Sequence, residues 1–226
     1  MTTWPPVVYV VDDEQVVRRA LVRLLTAAGR LAHAFESAQA FLDGHDPDVP
    51  GCAVLDYAMP GQNGLELQKA LAARGSVLPI IFLTGHGDVP ISVQAMKDGA
   101  VDFLTKPVDD AELLAAIDRA LEHNREWRQA RAEQDEFARR FRLLTPRERE
   151  VMGHLLLGKL NKQVAADLGT VEKTIKVHRT RVMEKMQVRS LAELARLAER
   201  AQIGLGYHRI ERGLDLGPIS QIAATR

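Results

Sequence analysis

The amino-acid sequence predicts an α/β domain with a doubly wound, five-stranded parallel sheet, followed by an all-α domain of four helices. Three observations lead to this prediction. Short apolar runs alternate with helix-period stretches over residues 1–121. Polar side chains follow four of these runs, and the second half of the chain carries helix-capping motifs separated by glycine turns.

Five near-continuous apolar runs are expected to form the strands. Runs of this kind are typical of parallel strands that are covered on both faces. They occupy residues 7–11, 31–35, 53–55, 80–83 and 103–105. Five helices should alternate with the strands, and apolar residues at helical spacing place four of them at residues 15–28, 64–73, 91–97 and 109–121. Gly29 follows the first of these helices, at a position where glycine commonly ends a helix.

The polar side chains that follow the strands are expected to meet at one edge of the sheet. All strands of a parallel sheet point the same way, and open α/β sheets place their chemistry at the carboxyl ends. The side chains are three carboxylates, a hydroxyl and an ammonium: Asp12, Asp13, Asp56, Thr84 and Lys106. Three close carboxylates require a cation, and Mg²⁺ suits a site with few carboxylates, several waters and a phosphate.

This set of residues predicts phosphoryl chemistry at Asp56. With a metal screening its charge, Asp56 can act as a nucleophile and form an acyl phosphate. Lys106 would hold the transferred oxygens as a point charge, and Thr84 would donate its hydroxyl to one of them. Gly85 has no side chain that could block the approach.

In order and spacing, these residues resemble the receiver domain of two-component response regulators over residues 6–121. The motifs are Asp12-Asp13, Asp56 followed by Met59-Pro60-Gly61, Thr84-Gly85 and Lys106-Pro107. The resemblance implies that Asp56 takes phosphate from a sensor histidine kinase. It also implies that Mg²⁺ is held by Asp12, Asp13, Asp56 and the main-chain carbonyl of Ala58. The Lys106-Pro107 peptide should be cis, and Phe103 should swing inward as Thr84 moves toward the phosphate.

Alternatives to this interpretation concern one residue and the class of protein. Phe103 could equally be an ordinary core phenylalanine on a strand. An aspartate nucleophile with Mg²⁺ also serves phosphatases of the haloacid dehalogenase type, in which a second carboxylate two positions later acts as general acid. Here that position holds Ala58, which has no proton to donate. The sequence therefore disfavours an enzyme.

A helical connector is predicted between the two domains. Residues 108–145 contain neither glycine nor proline, so they can form one continuous helix. A continuous helix over residues 109–142 would be about 50 Å long. Only Trp127, Phe137 and Phe141 are large and apolar in its second half. We therefore expect an exposed linker helix over residues 122–143 that packs on the following domain or pairs with a second subunit. A flexible linker is the alternative.

The charge distribution indicates nucleic acid as the partner of the second half. Residues 1–121 hold 9 Lys and Arg against 16 Asp and Glu, a net charge of −7. Residues 122–226 hold 21 against 14, a net charge of +7. An acidic half joined to a basic half is expected when only one half meets nucleic acid. Uneven but functionless surface charge is the alternative.

The helix pattern of the basic half supports a DNA-binding role. Thr145-Pro146-Arg147-Glu148 is a capping box with proline at the first helical position, and the helix it starts should stop at Gly158. A helix over 162–168, a turn at Gly169 and a helix over 171–186 follow, which would present the last helix to the major groove. One face of that helix is apolar. The opposite face carries the expected DNA contacts: Lys173, Lys176, Val177, Thr180 and Arg181.

Residues 144–201 resemble the LuxR-type effector domain, a four-helix helix-turn-helix module. The resemblance rests on residues 144–148, Asn161-Lys162, Ala165, Leu168-Gly169, Glu172-Lys173-Thr174, Lys176-Val177-His178 and Ser190. It implies that Lys176 and Val177 contact bases and that the fourth helix, which opens at Ser190, is a dimer contact. Val171 stands where the family usually has Ser or Thr, so Thr170 is expected to cap the recognition helix instead.

Composition narrows the cellular setting. The single cysteine, Cys52, excludes a disulfide framework, and neither a secretory signal nor an apolar run long enough to span a membrane is visible. We expect a soluble, cytoplasmic protein with no membrane partner. Residues 202–226 hold four glycines and a proline and are expected to form a mobile tail, with a short docking helix at 207–214 as the alternative.

Together the two resemblances indicate a response regulator of the FixJ/NarL family. The expected function is a phosphorylation-dependent transcriptional regulator, an activator by family expectation, that dimerises through the face around residues 91–97 and Phe103 and binds promoter DNA. RNA polymerase is a further partner expected from the family alone. Two alternatives stay open: activation by release of an inhibitory contact between the domains, and a silent receiver attached to a phosphate-independent DNA-binding domain.

Overall fold

A computed structural model describes residues 4–85 and 89–201, with the backbone alone at residues 89–91. The chain divides into two compact units, residues 1–127 and residues 128–226. The tail expected at 202–226 lies outside the described residues, so both alternatives for it stay predictions. Among the described helices, none is long and apolar enough to cross a membrane.

The first unit contains a five-stranded sheet. Its strands are β1 (Val7–Val11), β2 (Leu31–Phe35), β3 (Gly51–Asp56), β4 (Ile80–Thr84) and β5 (Asp102–Thr105). All neighbouring pairs are parallel, and the strand order is β2-β1-β3-β4-β5. The predicted α/β doubly wound fold class is therefore confirmed. The order reverses between β1 and β3, the point at which open α/β sheets place their chemistry.

Helices cover both faces of this sheet. They are α1 (Gln15–Ala27), α2 (Ala38–Gly44), α3 (Gly64–Ala73), α4 (Val89–Lys97) and α5 (Asp110–Arg142). Tyr9, Phe41 and Phe82 belong to the apolar layer on one face, and Leu25, Val54 and Ile117 belong to the layer on the other. Each layer takes alternate residues of the same strands, which is why the strand sequences are apolar throughout.

The expectation that every strand is covered on both faces is wrong for the two edge strands. All residues of β1, β3 and β4 are buried, but β2 is largely exposed and β5 is only partly buried. Leu31 at the start of β2 is 51% exposed. An edge strand has a neighbour on one side only, so its apolar residues meet less of the core.

Asn124 extends the core of the first unit beyond the predicted boundary at residue 121. Its side-chain oxygen accepts a hydrogen bond of 3.1 Å from the backbone N–H of Gly51, and the residue is 1% exposed. At Gly51 a Cβ atom would lie 2.1 Å from the carbonyl oxygen of Val7. Only glycine fits this close to β1.

Helices are the only regular elements in the second unit as far as it is described, that is, over residues 128–201. After the last turns of α5 it contains α6 (Pro146–Leu156), α7 (Asn161–Asp167), α8 (Glu172–Lys185) and α9 (Leu191–Arg200). The capping box at Thr145 is confirmed, because its side chain accepts from the Glu148 N–H and the Glu148 carboxylate accepts from the Thr145 N–H. Gly169 turns the chain between α7 and α8 with a φ of 60°. A helix-turn-helix is therefore present where the sequence predicts it.

The end of α5 belongs to the core of the second unit. Phe137 and Phe141 are 1% and 6% exposed and pack in one cluster with Leu144, Val182 and Leu194. Their rings stack with centroids 6.0 Å apart. Of the arrangements expected for the connector, packing on the following domain describes these turns, and the expectation of an exposed helix is wrong for them.

We predict that Phe137→Ala lowers the stability of the second unit by about 3–5 kcal/mol, because it leaves a cavity in a closed apolar cluster. Native-state hydrogen exchange of the α6 and α8 amides in the full chain measures this loss. Trp127→Ala on the same helix is the matched control, since Trp127 is 41% exposed. Equal exchange in the two variants would show that α5 does not support the second unit.

Candidate functional site

Three carboxylates lie together at the carboxyl edge of the sheet. Asp12 and Asp13 directly follow β1, and Asp56 is the last residue of β3. One carboxylate oxygen of each lies within 4.8 Å of the other two. Asp12 and Asp56 are 1% and 5% exposed, whereas Asp13 is open to solvent. The pairing of β1 with β3 thus brings together the carboxylates that the sequence assigns to one site.

Lys106 reaches from the end of β5 to two of these carboxylates. Its Nζ lies 2.7 Å from Asp12 Oδ2 and 3.3 Å from Asp56 Oδ1. Its backbone N–H donates to the carbonyl oxygen of Thr84 at 2.7 Å, and its peptide bond to Pro107 is cis, as the resemblance implies. The Lys106 side chain remains 20% exposed. The ammonium group therefore joins the ends of β1, β3 and β5 while one side stays open to solvent.

Burial and charge oppose each other at this site. Burial raises the pKa of Asp56 above the usual value of an aspartate, and Asp12 adds to the rise. Lys106 and a hydrogen bond with the Ala58 backbone lower the same pKa, but the net direction is upward. At Lys106 burial lowers the pKa, and the hydrogen bonds and charges of Asp12 and Asp56 outweigh it. Ionised Asp56 is therefore less favourable in the folded chain than in water.

The remaining predicted receiver residues surround this edge. Thr84 ends β4 and is 2% exposed. Ala58, two residues after Asp56, is exposed. Phe103 on β5 is half-buried with its ring centroid 6.0 Å from that of Phe82. A Cβ at Gly64 would lie 2.7 Å from the carbonyl oxygen of Asp56, so α3 begins in direct contact with the β3 end.

The donor set fits a divalent cation. Three carboxylates and one ammonium leave an excess of negative charge when all are ionised, and oxygen ligands of this kind are those that Mg²⁺ prefers. Asp13 is the most accessible of the three carboxylates. Asp12 and Asp56 would each contact both the metal and the Lys106 ammonium. The residues present therefore suit Mg²⁺.

The predicted DNA-contacting residues share one exposed face of α8. They are Lys173, Lys176, Val177, Thr180 and Arg181, and all five are exposed. On the opposite face, Ile175 and Val182 are fully buried, which confirms the predicted division of this helix. Lys176 Nζ lies 3.1 Å from Glu172 Oε1 on the same exposed surface. The face is mainly cationic, with Glu172 at its start and Glu184 near its end.

Side chains from other helices fix the position of α8. Lys185 near its end donates to the buried carboxylate of Glu148 at 2.6 Å. Burial raises the pKa of Glu148, but the Lys185 and Thr145 bonds outweigh it and the net direction is downward. Arg140 of α5 donates to the carbonyl oxygen of Met186 at 2.9 Å, and Gln187 next to it has a φ of 54°. The bond from Arg140 gives a hydrogen-bond partner to a carbonyl group at the carboxyl end of the helix, which would otherwise lack one.

The amino end of α8 has no side-chain cap. Val171 is its N-cap residue, is 65% exposed and makes no side-chain capping bond. The expectation that Thr170 caps the helix instead is therefore wrong. Thr170 lies one residue before the N-cap position, and its backbone N–H bonds back to the carbonyl of Ala165 within the preceding turn.

Several residues of these two sites were not predicted. The backbone N–H of Glu14 donates to Asp12 Oδ1 at 2.8 Å, and the Arg18 guanidinium donates to the Asp12 carbonyl oxygen at 2.5 Å. Glu148 was predicted as a capping residue but not as the partner of Lys185. A basic residue one turn into α1 is the only sequence signal that could have indicated Arg18.

Comparison with known proteins finds one family match in each unit of the chain. The family model described as "Response regulator receiver domain" matches residues 8–118, and "Bacterial regulatory proteins, luxR family" matches residues 142–198. Nodulation protein W of Bradyrhizobium diazoefficiens is 46% identical over 201 residues, which is 89% of this chain and 88% of that protein. The transcriptional regulatory protein FixJ of the same organism is 46% identical over 194 residues, which is 86% of this chain and 95% of that protein.

Two solved structures resemble the chain over both units. The response regulator StyR is 47% identical, with a TM-score of 0.78 over 87% of this chain and 100% of that chain. Full-length FixJ from B. japonicum is 45% identical, with a TM-score of 0.54 over 87% of this chain and 97% of that chain.

An acidic receiver edge and a LuxR-type helix-turn-helix on one chain define a response regulator that regulates transcription. The similarity extends over most of the chain and of its relatives. This chain belongs to the FixJ/NarL family of two-component response regulators. The receiver implies a histidine kinase as partner, and the relatives are transcriptional regulators, so the phosphatase alternative is set aside.

We predict that Asp56→Asn stabilises the unphosphorylated protein at neutral pH. A carboxyl whose pKa is raised on folding binds a proton more readily when folded, so its contribution to stability falls as pH rises above the usual aspartate range. The gain should therefore be small near pH 4 and larger at pH 7 in thermal unfolding without metal. Asp135→Asn, at an exposed position of α5, is the control. A variant less stable than wild type at neutral pH would contradict this prediction.

Proposed function

We propose that this response regulator accepts a phosphoryl group on Asp56 from a sensor histidine kinase, then dimerises and activates transcription from promoter DNA. The observation that carries the proposal is the bridge from Lys106 to both Asp12 and Asp56 beside the exposed Asp13. A partly exposed ammonium beside a nucleophilic carboxylate can donate hydrogen bonds to the oxygens of a phosphoryl group attached there. Because chromosomal DNA is the target, we place the protein in the cytoplasm.

In the proposed transfer, an Asp56 carboxylate oxygen attacks the phosphorus of the kinase phosphohistidine. The new P–O bond forms as the P–N bond breaks, and the histidine nitrogen keeps the electron pair. Asp12, Asp13, Asp56 and the Ala58 carbonyl would hold Mg²⁺, which would neutralise charge on the phosphoryl oxygens. Lys106 then moves from Asp56 to one phosphoryl oxygen, and Thr84 donates its hydroxyl to another.

A second copy of the chain is the proposed partner of the α4–β5 face. Val93 and Met96 on α4 are 46% and 47% exposed, and they line a shallow apolar depression with Ser92 and Lys97. Phe103 belongs to β5, the element that follows α4 in the chain, and its ring packs against that of Phe82. When Thr84 and Lys106 move toward the phosphoryl group, β4 and β5 change their packing and Phe103 swings inward. The apolar surface of α4 then becomes the dimer contact.

A dimer explains how phosphorylation controls DNA binding. A single α8 presents a few base and phosphate contacts, whereas two modules read two half-sites. Binding of the first module raises the effective concentration of the second at its half-site. The fourth helix, α9, is a further dimer contact in this proposal, and contact with RNA polymerase follows at the promoter.

The phosphorylation proposal is tested by intact-mass spectrometry after incubation with acetyl phosphate and Mg²⁺. We expect a phosphoryl adduct on wild type, none on Asp56→Asn, and none on wild type in the presence of a chelator. Asp13→Asn should require a higher Mg²⁺ concentration because it removes one of the three carboxylates. Sedimentation of the same samples should show a dimer only where the adduct is present. A wild type that stays unmodified, or a tight dimer without phosphate, would favour a silent receiver.

The DNA interface is tested by comparing Lys176→Ala with Val177→Ala on the same exposed face of α8. Lys176→Ala should weaken binding and reduce the slope of log affinity against log salt by about 1 if the lysine contacts phosphate. Val177→Ala should leave that slope unchanged and reduce discrimination at one thymine position by about 1 kcal/mol. Fluorescence anisotropy over a salt series, with wild-type and substituted operators, separates the two effects. Unchanged affinity in both variants would remove α8 as the reading helix.

A further inference from the structure

Gln68 is a buried polar side chain that the proposed phosphoryl chemistry does not use. It lies in the middle of α3 and is 4% exposed. Its Nε2 donates to the carbonyl oxygen of Asp98 at 3.0 Å and to that of Ala95 at 3.5 Å. These carbonyls belong to the last turn of α4 and the residue just beyond it. The side chain therefore connects α3 to the carboxyl end of α4.

The orientation of the Gln68 amide is determined by its surroundings. Its Oε1 is buried, and no group in the described part of the chain donates to it. Reversing the amide would turn Oε1 toward the two carbonyl oxygens and remove both hydrogen bonds. A buried amide bonded on one side only is unusual in a native protein and requires a reason.

The described side chains in the carboxyl half of α4 bury little apolar surface. Among its described side chains, residues 92–97, only Ala95 is buried, and Val93 and Met96 are 46% and 47% exposed. A small side chain buries little apolar surface, so it stabilises the position of the helix weakly. The bonds from Gln68 add polar contacts that help to hold this end of α4.

The helix α3, which carries Gln68, is packed firmly in the core. Leu67 and Leu71 of α3 are buried in the aromatic layer of the core, and Gly64 contacts the carbonyl end of Asp56. Gln68 thus attaches α4 to a helix that starts at the phosphoryl-acceptor site. On the side of α4, Asp98 lies four residues before β5, and β5 ends directly before Lys106.

We propose that Gln68 is a positioning residue that holds the carboxyl end of α4 in its unphosphorylated arrangement, and that phosphorylation of Asp56 breaks this attachment. The inference rests on the proposed phosphorylation-dependent dimerisation through α4. A modification shifts a conformational equilibrium only through contacts that differ between the two states. In this proposal the two Gln68 bonds are such contacts, since they join α3 to the segment that leads through β5 to Lys106.

The first test is Gln68→Met in the unphosphorylated full chain. Met has a similar length without the amide donor and is tolerated in irregular apolar sites, so the fold is retained. Loss of the attachment should speed hydrogen exchange at residues 95–100 by about tenfold and raise the unphosphorylated dimer association constant by a similar factor. Sedimentation measures the second quantity. Wild-type values for both, in a variant whose far-UV circular dichroism is unchanged, would overturn the proposal.

Gln94→Ala is the matched control for this test. Gln94 also donates its amide to Asp98, to Oδ1 at 2.8 Å, but it is exposed and belongs to α4 itself. Its removal leaves the link between α3 and α4 intact, so hydrogen exchange at residues 98–100 should stay within about twofold of wild type. A control that matches Gln68→Met would show that any lost bond to Asp98 has the same effect, which would also overturn the proposal.

A measurement on wild type avoids any effect of substitution on folding. In NMR, the side-chain NH₂ hydrogens of Gln68 should exchange slowly without phosphate and at least about tenfold faster after acetyl phosphate treatment. Mass spectrometry of the same sample establishes that Asp56 is modified. Equal protection in a modified sample would overturn the proposal. If wild type takes no phosphate, the proposed function fails, and the exchange of Gln68→Met still decides whether this residue holds α4.

Discussion

The ion pairs between Lys106 and the two buried aspartates are the interaction on which the receiver unit depends. Buried charges are tolerated only when they are paired, and removal of Lys106 would leave two uncompensated carboxylates inside the protein. Lys106 meets this condition for Asp12 and Asp56 together. The compensation by Lys106 is incomplete at Asp56, because burial still keeps the pKa of that carboxyl raised. The site is thus held together by the same group that a phosphoryl ligand would draw away.

The sheet and its acidic edge could be predicted because strand burial and strand direction leave a direct trace in the sequence. Runs such as residues 7–11 are apolar throughout because both faces are covered, and parallel strands place Asp12 and Asp56 at one edge. Gln68 could not be predicted in this way. Helical spacing identifies which face of α3 is apolar, but the burial of a glutamine on it depends on carbonyl groups of α4. Asn124 was missed for the same reason, since its partner is the N–H of Gly51.

The second unit shows a different limit of sequence reasoning, which concerns charge. Its basic excess was interpreted as a surface for DNA, yet part of that excess serves the interior of the fold. Lys185 is bonded to Glu148, and Arg140 and Arg147 donate to the carbonyl oxygens of Met186 and Leu168. These groups orient α7 and α8 rather than face a ligand. Counting basic residues therefore overstates the charge that the recognition face offers to phosphates.

The long helix α5 constrains how proteins of this architecture can exchange domains in evolution. Asn124 on α5 completes the core of the receiver unit, and Phe137 on the same helix completes the core of the DNA-binding unit. A recombination that joins a receiver to a new effector must keep both residues with their own partners. Viable junctions are thereby confined to the solvent-facing stretch between them, and crossovers at the turn before Pro146 would leave a foreign core incomplete.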